Sequence, residues 1–255
     1  MGQIFLDRIQ IIGLEYEHAL QDIRNAISDQ DATISIGAGP IWTCAVLPTV
    51  AARFHALYPR HRLIVSTGSV ETLGEDLRLG RIDIFAGALL PSTTPKGFAV
   101  KNLARTDMVV LASEEHDLVK TNDIISPARL ADHPFVVFQP SRGVIEGLSS
   151  YLRLNNAPPP RILVETGSIY ACIELVRTGK YLLYENRMIA QSRIGSGVAI
   201  VTVGEPIQPF DIGIVHREGL DRLPHLNRLI RIMAQVLGET LVDPDGNSAP
   251  HHNLK

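Results

Sequence analysis

The stretch "TISIGAGPIWTCAVLPTVAARFHALYPRHRLIVSTGSVETLGEDLRLGRIDIFAG", residues 33 to 87, alternates short β-branched runs with longer amphipathic ones. Runs 33–38, 62–66 and 82–87 read as strands, and about 41–58 and 69–79 read as helices between them. Strand, helix, strand, helix, strand in this order builds βαβ units. Such units set strands parallel and cover the sheet with helices.

Beyond residue 87 comes the turn-rich "LLPSTTPKG", then extended runs at 98–104 and 107–113. The alternation returns with a short helix at "SPARLAD", a strand at 135–139 and a helix at 142–155. The stiff spacer Pro158-Pro159-Pro160 leads to a strand at 161–166 and a helix at 168–178. A short strand at 181–185, a helix to about 193, strands at 198–203 and 211–217 and an amphipathic helix at 224–238 complete the pattern. From Asp243 on, "DPDGNSAPHHNLK" reads as a disordered tail. The last helix has no new sheet to cover, so it is expected to return to the first half. Two chain crossings follow, the arrangement of hinged two-lobed receptors that hold a ligand in the inter-lobe cleft. The expected fold is α/β, with two Rossmann-like subdomains in double crossover. Subdomain I is expected at 33–108 with 212–239, subdomain II at 109–211, and the tail at 240–255.

Upstream, Phe5, Ile9, Ile12, Tyr16, Ala19, Ile23 and Ala26 recur at alternating spacings of four and three, the seam of a coiled coil. One helix within residues 1–30, about 33 Å long, is implied at about 1.5 Å per residue. The narrow seam, with Arg8, Glu15, Glu17, Gln21, Asp22 and Arg24 around it, favours dimerisation over packing on its own domain.

The 255 residues carry 24 basic and 27 acidic side chains, a net charge of −3, which argues against polyanion binding by these residues alone. Apolar runs such as 108–112 fall far short of the roughly 18 to 20 residues that span a bilayer, so no membrane partner is expected. Cys44 and Cys172 sit in apolar helical patterns and read as reduced core thiols. The N-terminus lacks the pattern of a signal peptide, so a cytoplasmic location is expected.

Four strand-to-helix junctions carry small or polar residues: "GAGPIWT" (37–43), "STGS" (66–69), "QPSRG" (139–143) and "TGS" (166–168). Helix N-termini present free N–H groups there, and open α/β sheets bind ligands at such edges. Ser69 and Ser168 are spaced as N-caps, and capping alone accounts for each. The four junctions together argue for a site. Arg142 opposes the dipole of the helix it starts, so it either faces an anionic ligand or is simply solvated. No G-x-S-x-G elbow follows a strand, no G-x-G-x-x-G occurs and no helical H-x-x-x-H pair exists. Catalysis, a cofactor and a metal are therefore not expected.

The run "GQIFLDRIQIIGLEYEHALQDIRN" resembles the linker helix of LysR-type transcriptional regulators. The family's order of strand, L-P, F-x-x-x-Y-P, strand, G-S and L-x-x-G-x-x-D is matched across residues 34–87, with further likeness in "MVVLASEEHDL", "LADHPFVVF" and "IELVRTGKYLLYENRMIA". The resemblance covers about 2–238 and implies an effector-binding domain of the type 2 periplasmic-binding-protein-like fold, in a homodimer or homotetramer. Family members carry an N-terminal winged helix-turn-helix and this chain starts after it, so DNA contact is expected only through that missing domain. By position, the resemblance assigns effector contacts to Gly39, Trp42, Thr43, Gly68 and Ser69. In the second lobe it assigns Ser141, Arg142, Gly167, Ser168, Glu185 and Asn186. In "GKYLLYEN", Tyr181 stands for the family's second glycine and Asn186 for its proline, which alters one pocket wall.

The leading expectation is a ligand-sensing regulatory domain that binds a small-molecule effector. A free-standing solute-binding protein and an enzyme on the same scaffold are the alternatives. Arg142 favours an anion, whereas Glu185 and Trp42 equally suit an amine or an aromatic ring.

Overall fold

The computed structural model describes residues 9, 13, 32–90, 97–121, 123–138, 142–204 and 207–241, leaving aside the side chains of Arg142 and Gln208. The seam from Phe5 to Ala26 lies outside these residues except for Ile9, which is helical and exposed. Ser141 and the expected tail beyond Leu241 also lie outside them.

The chain divides into two compact units, Met1–Leu103 with Gly213–Leu237 and Ala104–Ile212 with Gly238–Lys255. In the first, strand β1 (Thr33–Ala38) lies between β2 (Arg62–Thr67) and β3 (Ile84–Ala88), parallel to both. Ala38 pairs with Thr67 and with Ala86, so the carboxyl ends of the strands are level. A helix starts at Pro40, winds as a π-helix through Trp42–Val46 and continues as α1 (Leu47–Leu57). Leu47, Val50 and Phe54 recur at helical spacing and are buried, each worth about 1.5 to 3 kcal/mol. Pro59 drives Tyr58 out of the helical region, and α1 ends there. Helix α2 (Val70–Arg78) buries Leu73 and Leu77, and Asp83 accepts the Ser35 N–H at 2.7 Å as β3 begins.

The two extended runs read from 98–104 and 107–113 are one strand, β4 (Phe98–Ser113), because nothing at Arg105 or Thr106 breaks the extended backbone. It passes from the first unit into the second. There β5 (Pro134–Phe138) lies between β6 (Arg161–Thr166) and β7 (Leu182–Asn186), parallel to both, and β4 runs antiparallel to β7. The helices are α3 (Asp117–Lys120), α4 (Pro127–Ala131), α5 (Arg142–Leu154), α6 (Ile169–Arg177) and α7 (Arg187–Gln191). Gly179, at φ 75°, turns the chain out of α6 in the left-handed conformation that glycine adopts without strain.

Strand β8 (Val198–Ile200) is half the expected length, since Val203 leaves β4 and bridges Ile125 instead. Strand β9 (Ile207–Arg217) starts four residues earlier than the sequence reading and carries the chain back to the first unit. Helix α8 (Pro224–Leu241) buries Leu226, Leu229, Met233 and Val236 on one stripe. The core of the second unit gathers Val110, Leu130, Phe135, Leu148, Leu182 and Tyr184.

Candidate functional site

At the carboxyl edge of the first unit, Gly39 directly follows β1, and its N–H donates to the Ala86 carbonyl at 3.1 Å. Nothing lies within 4 Å of where a Cβ would stand, so the position is open. Thr43 donates its hydroxyl to the Pro40 carbonyl at 3.0 Å inside the π-wound turn, a backbone irregularity that side-chain competition for carbonyls accompanies. Trp42 is fully buried, and its indole N–H has no hydrogen-bond partner among the described residues. Gly68 packs on Leu73. Ser69 is buried and accepts the Thr72 N–H at 3.1 Å, so it is the cap of α2. The five residues expected from this unit share one edge.

In the second unit Phe138 pairs with Thr166. The register of Phe135 on Leu182 and Val136 on Leu183, continued along the strands, brings Glu185 level with them. Gly167 and Ser168 follow Thr166 and are exposed, with open space at the missing Cβ of Gly167. Ser168 accepts the Ala171 N–H at 3.3 Å and caps α6. Glu185 and Asn186 are buried at the end of β7. The Asn186 N–H donates to Glu185 Oε1 at 2.8 Å, while Asn186 Oδ1 accepts the Met188 N–H at 2.9 Å and the Thr106 hydroxyl at 3.1 Å. Arg142 begins α5, close in sequence after Phe138. Gly167, Ser168, Glu185 and Asn186 thus share the edge of this sheet.

Burial pushes the Glu185 carboxyl up to about 7, against the opposing pull of the Asn186 N–H. Cys172, one turn into α6, is pushed up to about 12 by burial and by the Glu185 charge, so its thiol is inert. Burial also raises the Tyr184 phenol, which has no hydrogen-bond partner among the described residues. Cys44 is only half-buried, unlike the core thiol that its apolar helical setting suggests.

One part of the site escaped the sequence. Arg187 forks onto Asp107 beside Asn186, and the hydrogen bond of Asn186 to Thr106 lies along the same pair of strands. No local pattern announces these contacts, because only the antiparallel pairing of β4 with β7 brings the residues together.

The family described as the LysR substrate binding domain matches residues 28–238. The chain belongs to this LysR family. A LysR substrate-binding domain is a ligand-sensing regulatory domain, with the periplasmic-binding-protein-like α/β fold. Among relatives of this LysR domain, the HTH-type transcriptional regulator GalR of Pseudomonas putida is 26% identical over 231 residues, 87% of this chain and 57% of GalR. The chain thus spans little more than half of that relative's length. The regulator PcaQ of Agrobacterium fabrum is 20% identical over 93% of this chain and 76% of its own. Among solved structures, a hydrogen-peroxide-bound cysteine mutant of OxyR from Corynebacterium glutamicum superposes with a TM-score of 0.67. It is 16% identical and covers 94% of this chain and 77% of its own. The effector-binding domain of QuiR in complex with shikimate superposes with a TM-score of 0.61. It is also 16% identical, over 80% of this chain and 96% of its own. At these identities the two structures bear on the fold of the LysR domain alone. Among the described residues no helix is long and apolar enough to cross a membrane.

Proposed function

We propose that this LysR domain binds a small effector bearing an anionic group at the strand-to-helix junctions of its units and conveys that binding to DNA within a homo-oligomeric transcriptional regulator. The residues assigned to the effector are Gly39, Trp42, Thr43, Gly68 and Ser69 in the first unit. In the second they are Ser141, Arg142, Gly167, Ser168, Glu185 and Asn186. The observation that carries this reading is the pair of level carboxyl edges in a LysR fold, each with an open glycine, Gly39 or Gly167. Helix N-termini at such edges attract negative charge, and Arg142 adds a full positive charge at one of them. Effector binding alters DNA binding only if the effector has different affinities for two states of the regulator.

Calorimetric titration with a set of small carboxylates, shikimate among them, tests the proposal. Arg142→Ala is expected to weaken a binding carboxylate about tenfold to a hundredfold, the worth of a charge-assisted hydrogen bond. Equal binding by the parent and by Arg142→Ala removes the anionic reading. Ser69→Ala and Ser168→Ala each also lose a cap, worth about 1 kcal/mol, so folding is followed alongside affinity.

A further inference from the structure

Among the described residues no cation pairs with Glu185. The residue is more than nine-tenths buried at the carboxyl edge of β7, level with Thr166 and just ahead of the exposed Gly167 and Ser168 turn in register. Among the described residues its bonding comes from one group, the Asn186 N–H on Oε1, and no described ion pair includes it. A proline at 186 would lack even that donor. The described titratable groups around it are neutral or already engaged. Cys172 on α6 keeps its proton, as does Tyr184 next to it on β7, and Asp107 on β4 is held by Arg187. Taking a carboxylate out of water without a cation is costly, and burial accordingly shifts this group toward its neutral form. A residue that violates the ordinary rule for buried charge at a ligand-binding edge marks a site whose partner arrives from outside.

We propose that Glu185 is a specificity-determining residue that receives a protonated amine on the effector, so that the effector carries an ammonium group as well as a carboxylate. This rests on the effector-binding reading above. An ammonium has three donors and a full charge, which supplies the cation and the hydrogen bonds that the buried carboxylate lacks. The Asn186 N–H holds Oε1, and Oε2, which no described residue bonds, is the atom offered to the ligand. An ammonium favours the ionised carboxylate, so binding of an amine tightens as pH rises through about 7, where Glu185 loses its proton. An effector with only negative charge at this place would need the acid protonated, and its binding would weaken over the same range.

The test uses the full chain and two matched sets of compounds: L-amino acids, and the same carbon skeletons as carboxylates without the amine. Thermal shift finds binders, and calorimetry on either side of neutral pH measures them for the parent and for Glu185→Gln, which keeps the shape and the Asn186 bond. The expected result is binding by a member of the amine set and not by its amine-free counterpart, tightening with pH. Loss in Glu185→Gln should be about tenfold to a hundredfold. Amine-free acids that bind parent and variant equally overturn the role of Glu185 while leaving the effector reading intact. Binding that weakens as pH rises overturns it too. Silence from both sets overturns both. Should Glu185→Gln not fold, the pH dependence of the parent alone decides the matter.

Discussion

Arg187 and Asp107, 80 residues apart, meet in a two-pronged ion pair, Nε on Oδ1 and Nη2 on Oδ2, each at 2.7 Å. The pair fastens the start of α7 to β4 immediately beside Asn186. Asp107 is mostly buried and Arg187 is partly exposed, so solvent screening discounts the interaction without abolishing it. Asp107→Asn is expected to lower stability by about 1 kcal/mol, read as a lower urea midpoint at unchanged slope. Arg187→Lys should recover little in return, because an ammonium cannot present the planar fork. A midpoint identical to the parent for both variants would show that the pair is ornamental to stability.

Glu185 sets one arm of the pH dependence. Its folded carboxyl lies at about 7 against an ordinary 4.5, so between those values the folded chain holds a proton that the unfolded chain has released. Stability contributed by this group therefore falls as pH rises from about 4.5 to 7 and levels off above, by about 3 kcal/mol in order of magnitude. Glu185→Gln should gain on the parent steadily over this window in chemical denaturation. A stability difference that does not change with pH would place the ionisation of Glu185 at its ordinary value.

His116 sets the opposite arm. Its Nδ1 accepts the Leu118 N–H at 3.1 Å, a cap that only an unprotonated nitrogen can form. Burial first, then the neighbouring His133 ring, holds its pKa below the usual 6.5, and burial lowers His133 as well. The unfolded chain then takes up protons before the folded one, so stability is complete above about 6.5 and is lost as pH falls below it. His116→Asn keeps a capping oxygen and removes the titration, so its acid loss should be shallower than that of the parent. Parallel acid profiles for the two proteins would exclude His116 as a contributor.

Gly213, in β9, sits against the backbone of β4: a Cβ there would run into the Lys101 carbonyl oxygen, with Leu89 Cδ1 at 2.9 Å on another side. A main-chain carbonyl held in a strand cannot yield as a flexible side chain does. Gly213→Ala is expected to cost about 1 to 3 kcal/mol, seen as a clear drop in melting temperature. Gly39→Ala, in open space, is the control and should leave the melting temperature near that of the parent.

The order of strands and helices was readable along the chain because each depends on neighbours a few residues away. The β-branched runs of β1 and β6, the apolar spacing of Leu47, Val50 and Phe54, and the caps at Ser69 and Ser168 are all decided within a turn or two. The polar junctions at 37–43, 66–69 and 166–168 were visible for the same reason, since each is a local strand-to-helix turn.

What tertiary structure alone decided depends on residues that meet from far apart. That β4 runs unbroken past Arg105 and Thr106, that β8 stops where Ile125 offers another partner, and that Asp107 finds Arg187 all follow from sheet pairing. The burial of Glu185 is of the same kind. As a letter beside Asn186 it is an ordinary acid, and only its place at the covered edge of β7, without a described cation beside it, gives it an unusual charge. Periodicity reports which face a residue takes, whereas the dielectric around a carboxylate is set by every element that closes over it.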